Sequence, residues 1–409
     1  MSIIRPFRAL RPRSDLAERV ACAPYDVPYD SEVREYISTN PHSFLRVTRP
    51  EAEFPFGSEP SHEAILARSK ENLETFIREG WLEQDDEPSI YIYRLSHGPQ
   101  TQTGIVAACS IDEYDAGLIK KHEKTRPNKV KDRTDHMVGL CAQTGLIFLA
   151  FRGTQSIREI IAAETEREPV FECPCDAGGV TQMVWKVSNV DGLVEAFEEV
   201  PALYVADGHH RAESASLARK TLREQNPAHT GDEPYNFVMA GVFPAEDLKI
   251  LPYNRAVKDL NGHSDEEFVA SLQTTFRIER SDNKVPPHPR AIAMYFNGEW
   301  QMLHYSVENV REPDPIESLD VSILQQNILA PILGIDDPRT NDRVTFVGGI
   351  RGTDELEKLV DSGDYKVAFS MYPTSMDELL AVSDMGEIMS PKSTWFEPKL
   401  KDGLFVHLI

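Results

Sequence analysis

The pattern of apolar and polar positions changes period repeatedly along the chain, and each change predicts an element. Between residues 62 and 79 apolar side chains recur at helical spacing, with Ile65, Leu66, Leu73, Phe76 and Ile77 on one face. Ser61 stands where an N-cap belongs and Gly80 where a C-terminal stop belongs. Short apolar runs predict strands over 90–95, 103–111, 146–151, 180–187, 202–206 and 237–243. Helical patterns lie between them, around 157–167, 190–200 and 209–225. The first 60 residues carry short strands and turns, including APYDVPYD at 23–30. Residues 114–133 are basic and irregular.

This alternation predicts a mixed α/β (α+β) fold. Motif density falls after the prolines at 244–252, so we expect a first domain over 1–245 and a C-terminal α/β domain over 246–409. The latter should hold helices at 265–275 and 322–330 and strands at 291–296 and 367–370.

Charge narrows the choice of function. The chain has 66 acidic and 43 basic residues, a net charge of −23 spread along its length, which repels a phosphate backbone and argues against nucleic acid as a partner. No run approaches the roughly 20 apolar residues that span a bilayer, so no membrane association is expected. The five cysteines (22, 109, 141, 173 and 175) have no framework spacing, and free thiols in a reducing cytoplasm are the expectation.

Against that acidic background two stretches stand out. LYVADGHHR (203–211) ends an apolar strand on Asp207 and Gly208, then places His209, His210 and Arg211 in the first turn of a helix. A plain capped turn would explain Asp207-Gly208. Cations at a helix N-terminus, however, oppose the dipole, and a rule broken at a local cost points to a site. Backbone amides there, with Arg211 and two imidazoles, suit a phosphate or carboxylate. The second stretch, KKHEKTRPNKVKDR (120–133), has seven bases in fourteen residues. His122, Lys124, Thr125, Arg126 and Arg133 suit an oligophosphate, and Glu123 could act as a general base; a solvated charged loop is the bland alternative.

Two weaker candidates complete the set. SPKSTWFEPK (390–399) could grip an anion with Lys392, Ser393, Thr394 and Lys399, although Trp395-Phe396 more often anchors a chain end to a core. In PYDV (24–27) Tyr25 could stack on a ring and Asp26 could hold a metal, or both could belong to a turn. No P-loop, zincin, nucleophile-elbow or dinucleotide-binding motif occurs, and His62, His97, His136 and His263 show no ligand spacing.

Taken together, ACAPYDVPYD, IKKHEKTRPNKVKDR, LYVADGHHRAESA and MSPKSTWFEPKL, in this order over nearly the whole chain, resemble a bacterial and archaeal family catalogued as domain of unknown function ten-fifteen. Its D-G-H-H-R stretch places that family near the ParB/sulfiredoxin superfamily, which includes kinases of free serine. The resemblance implies a ParB/sulfiredoxin-like core with a C-terminal extension. It implies that Glu123 is the catalytic carboxylate with His122 beside it, and that Asp207, Gly208, His209, His210 and Arg211 hold phosphate, substrate or metal. On this basis we expect a nucleotide-dependent kinase acting on a small hydroxylated metabolite, with free serine the leading acceptor. ATP or ADP would be the donor, and Mg²⁺ would bridge phosphates, with Asp207 its ligand. The alternative is a ParB-like nucleotide-binding regulator without turnover. Sulfinic-acid chemistry is disfavoured, because no cysteine adjoins the motifs.

Overall fold

The computed structural model describes residues 2–174, 179–306, 314–390 and 392–409; Cys175 and Pro391 lie outside them. The fold is mixed α/β, and the chain forms two compact units. One comprises residues 1–121, 125–248 and 398–409; the other comprises 122–124 and 249–397.

In the first unit the apolar runs assemble into a nine-stranded sheet. Its order is Ile119–Lys120, Leu203–Asp207, Ile147–Phe151, Phe237–Pro244, Gln100–Ser110, Tyr91–His97, Thr181–Lys186 and Phe171–Pro174, and Ile4–Arg5 also pairs with Gln100–Ser110. Ile147–Phe151 and Phe237–Pro244 are buried along their whole lengths, which is why they read as continuous apolar runs. Helices Gln155–Thr165, Val190–Glu198 and His209–Gln225 supply the other side of this core through Ile157, Leu193, Phe197, Ala212, Ala215 and Ala218. A second cluster gathers around Phe44, Phe76 and Val406. The helix His62–Arg78 reaches it through Leu73 and Phe76, and the Ser61 side chain accepts from the Ala64 N–H as the cap rule predicts. Ile77, expected on the apolar face, is instead 41% exposed.

The stretch expected to be irregular is not so throughout. From Pro127, at the first helical position, to Leu140 it forms a helix that buries Val130, His136, Met137 and Leu140. Its exposed charges hide this apolar stripe in the sequence. The C-terminal residues run back along the first unit: Asp402 forms a bridge with Cys22, Val406 one with Leu10, and His407–Leu408 pairs with Ala142–Gln143.

The second unit is built on a six-stranded antiparallel sheet, ordered Phe276–Arg280, Glu299–Tyr305, Ala291–Phe296, Val367–Ser370, Tyr253–Val257 and Val344–Gly348. Helix Asp354–Asp361 packs on it through Leu356. The expected helix at 322–330 begins at Asp320 as an α-helix and widens to a π-helical turn over Gln325–Leu329. Trp395–Glu397 pairs with Lys249–Leu251, and Phe396 is buried. Cys22, Cys109 and Cys173 are buried and Cys141 is exposed, none of them in a disulfide. Among the described residues no helix is long and apolar enough to cross a membrane.

His407 gives this fold a pH dependence. Its ring packs edge-on against Phe7 at 5.1 Å and its Nε2 faces the Pro234 carbonyl at 3.3 Å. Burial pushes the imidazole down to about 4. The unfolded chain therefore takes up this proton first, near the ordinary histidine value of about 6.5. The stabilisation is present above that pH and is lost as pH falls towards 4. Denaturant titrations should show unfolding free energy declining over this window, with His407→Gln flattening the decline. An unchanged slope in the variant would contradict the assignment.

Candidate functional site

The strand Leu203–Asp207 lies between Ile119–Lys120 and Ile147–Phe151, and it ends irregularly. Val205 pairs with Leu149 but Asp207 pairs with Phe148, so Ala206 is an extra residue that bends the strand as it leaves the sheet. Gly208 then adopts φ +89°, and a Cβ there would also come to 3.4 Å from the Ile147 Cα. Glycine is required by this left-handed conformation, while the 3.4 Å separation is ordinary contact.

Helix His209–Gln225 begins at once, with Gly208 as its N-cap and no side-chain cap. Asp207 does not fill that role. Its Oδ1 accepts from the Gly208 N–H at 2.8 Å and its Oδ2 pairs with Lys399. Gly208 brings no side chain to cap the first turn, and the backbone amides of a helix N-terminus are an arrangement that favours an anion. His209 is buried at 3% exposure. The Nε2 of His210 accepts the Arg126 backbone N–H at 3.0 Å, which ties the helix to the residue preceding Pro127.

Arg211 is the most constrained of the group. Its Nη1 donates to the Leu146 carbonyl at 3.0 Å and its Nη2 to Asp402 Oδ2 at 2.8 Å. Asp402 is 1% exposed. The same Oδ2 accepts the Tyr25 backbone N–H at 3.3 Å, and the Tyr25 carbonyl accepts from Arg49 at 2.7 Å. The guanidinium of Arg211 lies over the Tyr25 ring at 5.2 Å and that of Arg133 lies over it at 4.4 Å. Arg133 uses its Nε and Nη2 on Asp132, leaving Nη1 for a ligand. Tyr25, Arg133 and Arg211, drawn from three separate motifs, thus meet in the first unit. Asp26 is exposed beside them.

Burial governs the protonation of this cluster. It pushes the Tyr25 phenol up to about 12, with Asp26 adding to the effect, so the phenol keeps its proton. Burial also raises the Asp402 carboxyl, against the pull of Arg211. For Arg211 burial works towards loss of charge, and Asp402, Asp26 and Tyr25 more than offset it, leaving the guanidinium above its ordinary value. Gly145 makes room for the pair. A Cβ there would strike the Arg211 guanidinium and come to 2.5 Å from Asp402 Oδ1.

The remaining expected residues fall in the second unit or at its chain neighbours. His122 is buried, its carbonyl accepts the Met389 N–H at 2.8 Å, and its Nε2 faces Thr394 Oγ1 at 3.4 Å. Glu123 is half-buried and Lys124 exposed in that unit, while Thr125 belongs to the first. Ser393 is buried and donates to the Ser390 carbonyl at 2.5 Å, and Lys392 has φ +56°. Among the described residues no three His, Cys, Asp or Glu side chains converge as a protein-built metal site would require. Asp207 offers a divalent ion one carboxylate, already paired with Lys399.

Sequence patterns missed Asp402 and Gly145. Asp402-Gly403 looks like an ordinary turn, and the only signal was a Lys-Asp pair, Lys401 and Asp402, ahead of an apolar terminal run. The roles of both residues are testable by denaturation. Asp402→Asn leaves Arg211 buried without a counter-charge and should cost about 3 kcal/mol. Gly145→Ala, through overpacking, should cost roughly 1–3 kcal/mol. Losses below about 0.5 kcal/mol for both, the range of ordinary surface changes, would show that the pair is not fixed as described.

No curated protein matches the chain. Solved structures similar to 74% of the chain include a free serine kinase in complex with AMP, at 13% identity and TM-score 0.38 over 92% of that chain. SbnI with C-terminal truncation from Staphylococcus aureus is similar over 74% of the chain and 87% of its own, at 15% identity and TM-score 0.41. A conserved hypothetical protein from Pyrococcus furiosus is similar over 74% and 95%, at 13% identity and TM-score 0.35. The family model described as protein of unknown function (DUF1015) matches residues 4–322, more than half of the chain, and the chain belongs to that family.

Proposed function

We propose that the protein is a nucleotide-dependent phosphotransferase acting on a small hydroxylated metabolite, with free serine the leading acceptor. The observation that carries this proposal is the seat at residues 207–211. There Arg211 is held by a buried carboxylate and a carbonyl, Arg133 keeps donors available, and a helix begins without a side-chain cap. Each guanidinium already has an acidic neighbour, so the seat attracts an anion through oriented N–H groups more than through net charge. Such an array is suited to a phosphoryl group, whose transfer depends mainly on positioning and charge stabilisation.

In this proposal the acceptor hydroxyl attacks the terminal phosphorus of ATP or ADP. A new O–P bond forms, the bridging P–O bond breaks, and the departing nucleotide keeps the electron pair. Glu123, the carboxylate of the H-E motif, takes the hydroxyl proton. Thr125, Arg126 and Lys124 accompany it in the basic stretch, with Lys392, Ser393 and Thr394 as further phosphate contacts. Mg²⁺ would enter with the nucleotide, most of its shell being phosphate and water, as is usual for this ion. A ParB/sulfiredoxin-like core and a cytoplasmic setting belong to the same proposal.

The test is phosphoserine formation from L-serine with ATP or ADP. Glu123→Gln should lower the rate by about a hundredfold or more, the usual weight of a general base, while nucleotide binding persists. No product from a panel of nucleotides and hydroxy metabolites, with no effect of Glu123→Gln, would refute the proposal. Tight nucleotide binding without turnover, together with salt-sensitive retention on DNA, would favour a regulatory module instead.

A further inference from the structure

Arg255 sits in the strand Tyr253–Val257 of the second unit, paired on one side with Val344–Gly348 and on the other with Val367–Ser370. An interior strand is an unusual place for a guanidinium, and this one is 3% exposed. Its Nη1 donates to the Tyr253 carbonyl and its Nη2 to the Lys392 carbonyl at 3.1 Å. The ring of Phe346 lies 5.3 Å from it. Both acceptors are neutral. Among the described residues no carboxylate forms an ion pair with Arg255.

Arg211, by contrast, has the buried Asp402. A buried cation without a counter-charge carries a desolvation cost that carbonyls and a ring only partly offset. Burial accordingly lowers the guanidinium to about 10, with Tyr253 alone pulling the other way.

One neighbour of Arg255, Lys392, carries a second cationic side chain. Lys392, whose carbonyl Arg255 holds, has φ +56°, and its Nζ lies 5.3 Å above the Tyr253 ring. Phe346 and Trp395 are half-buried and each meets Tyr253 edge-on, at 6.3 and 5.3 Å. A clamp that served only to hold the Lys392 carbonyl could be made by a neutral donor. A permanently charged planar fork beside a lysine matches an oxyanion in shape and charge.

We propose that Arg255, with Lys392 beside it, forms an oxyanion subsite in the second unit, taking the phosphate or carboxylate group of a small ligand. This inference does not rest on the phosphotransferase proposal. It adds Arg255 to the cations that the sequence motifs single out.

Thermal unfolding of the full chain, titrated separately with inorganic pyrophosphate and with acetate at constant ionic strength, tests it. A ligand bound by the folded state raises Tm progressively, roughly with the logarithm of its concentration above Kd. We expect such a rise with at least one probe, reduced in Arg255→Met to the part that the seat at residues 207–211 still supplies, and shifted roughly tenfold or more towards weaker apparent affinity in Arg255→Lys. A pyrophosphate response identifies a phosphoryl ligand, and a response to acetate alone identifies a carboxylate. If Arg255→Met does not fold, Arg255→Lys decides. Curves for the folded variants that superimpose on wild type, or no rise of Tm with either probe in the wild type, would overturn the proposal. An Arg255-dependent response in a protein that phosphorylates nothing would leave the subsite standing and remove only the catalytic proposal.

Discussion

A carboxylate at 1% exposure is tolerable only with a cation held against it, and Asp402 has Arg211 at 2.8 Å. Breaking such a pair from either side leaves an unmatched charge in a medium that solvates it poorly. Both partners are consequently locked. Arg211 is fixed at its second nitrogen by the Leu146 carbonyl, and Asp402 is fixed along its backbone by the bridge to Cys22. The orientation of the Tyr25 loop follows, since its backbone N–H answers to the same carboxylate oxygen. Much of what distinguishes the site from a capped turn descends from this one ion pair.

The pair also explains a division of labour along the chain. The strand Leu203–Asp207 and the helix that follows supply a rigid corner, bent by the extra residue at Ala206 and turned by Gly208. Gly145 leaves the volume that the guanidinium and carboxylate share. Segments far apart in sequence then decorate the corner: PYDV with an aromatic ring, the helix Pro127–Leu140 with a second guanidinium, and the terminal residues with Lys399 and Asp402. Preorganisation of this kind suits charge stabilisation, because the dipoles need not reorient when an anion arrives.

How much of this was legible in the sequence depends on the range of the interaction. Helix His209–Gln225 has the bounds its composition predicts, and the strands around it lie within a few residues of expectation, because local pattern determines them. The helix from Pro127 was hidden by a dense run of charge on its exposed side, even though its Pro at the first position was a usable signal. Asp402 was beyond reach. It stands 191 positions from Arg211 and 377 from Tyr25, and no periodicity links residues that only the tertiary fold brings together. Arg255 was similarly obscure, since one arginine in a short strand looks like an edge position until its burial is known.

The seating of a phosphate by residues 207–211 is read most plainly in a crystal structure of the full chain with AMP. Phosphate oxygens should lie within hydrogen-bonding distance of the amides that open helix His209–Gln225 and of the Arg211 or Arg133 guanidinium. A well-ordered nucleotide whose phosphate touches none of these groups would contradict it.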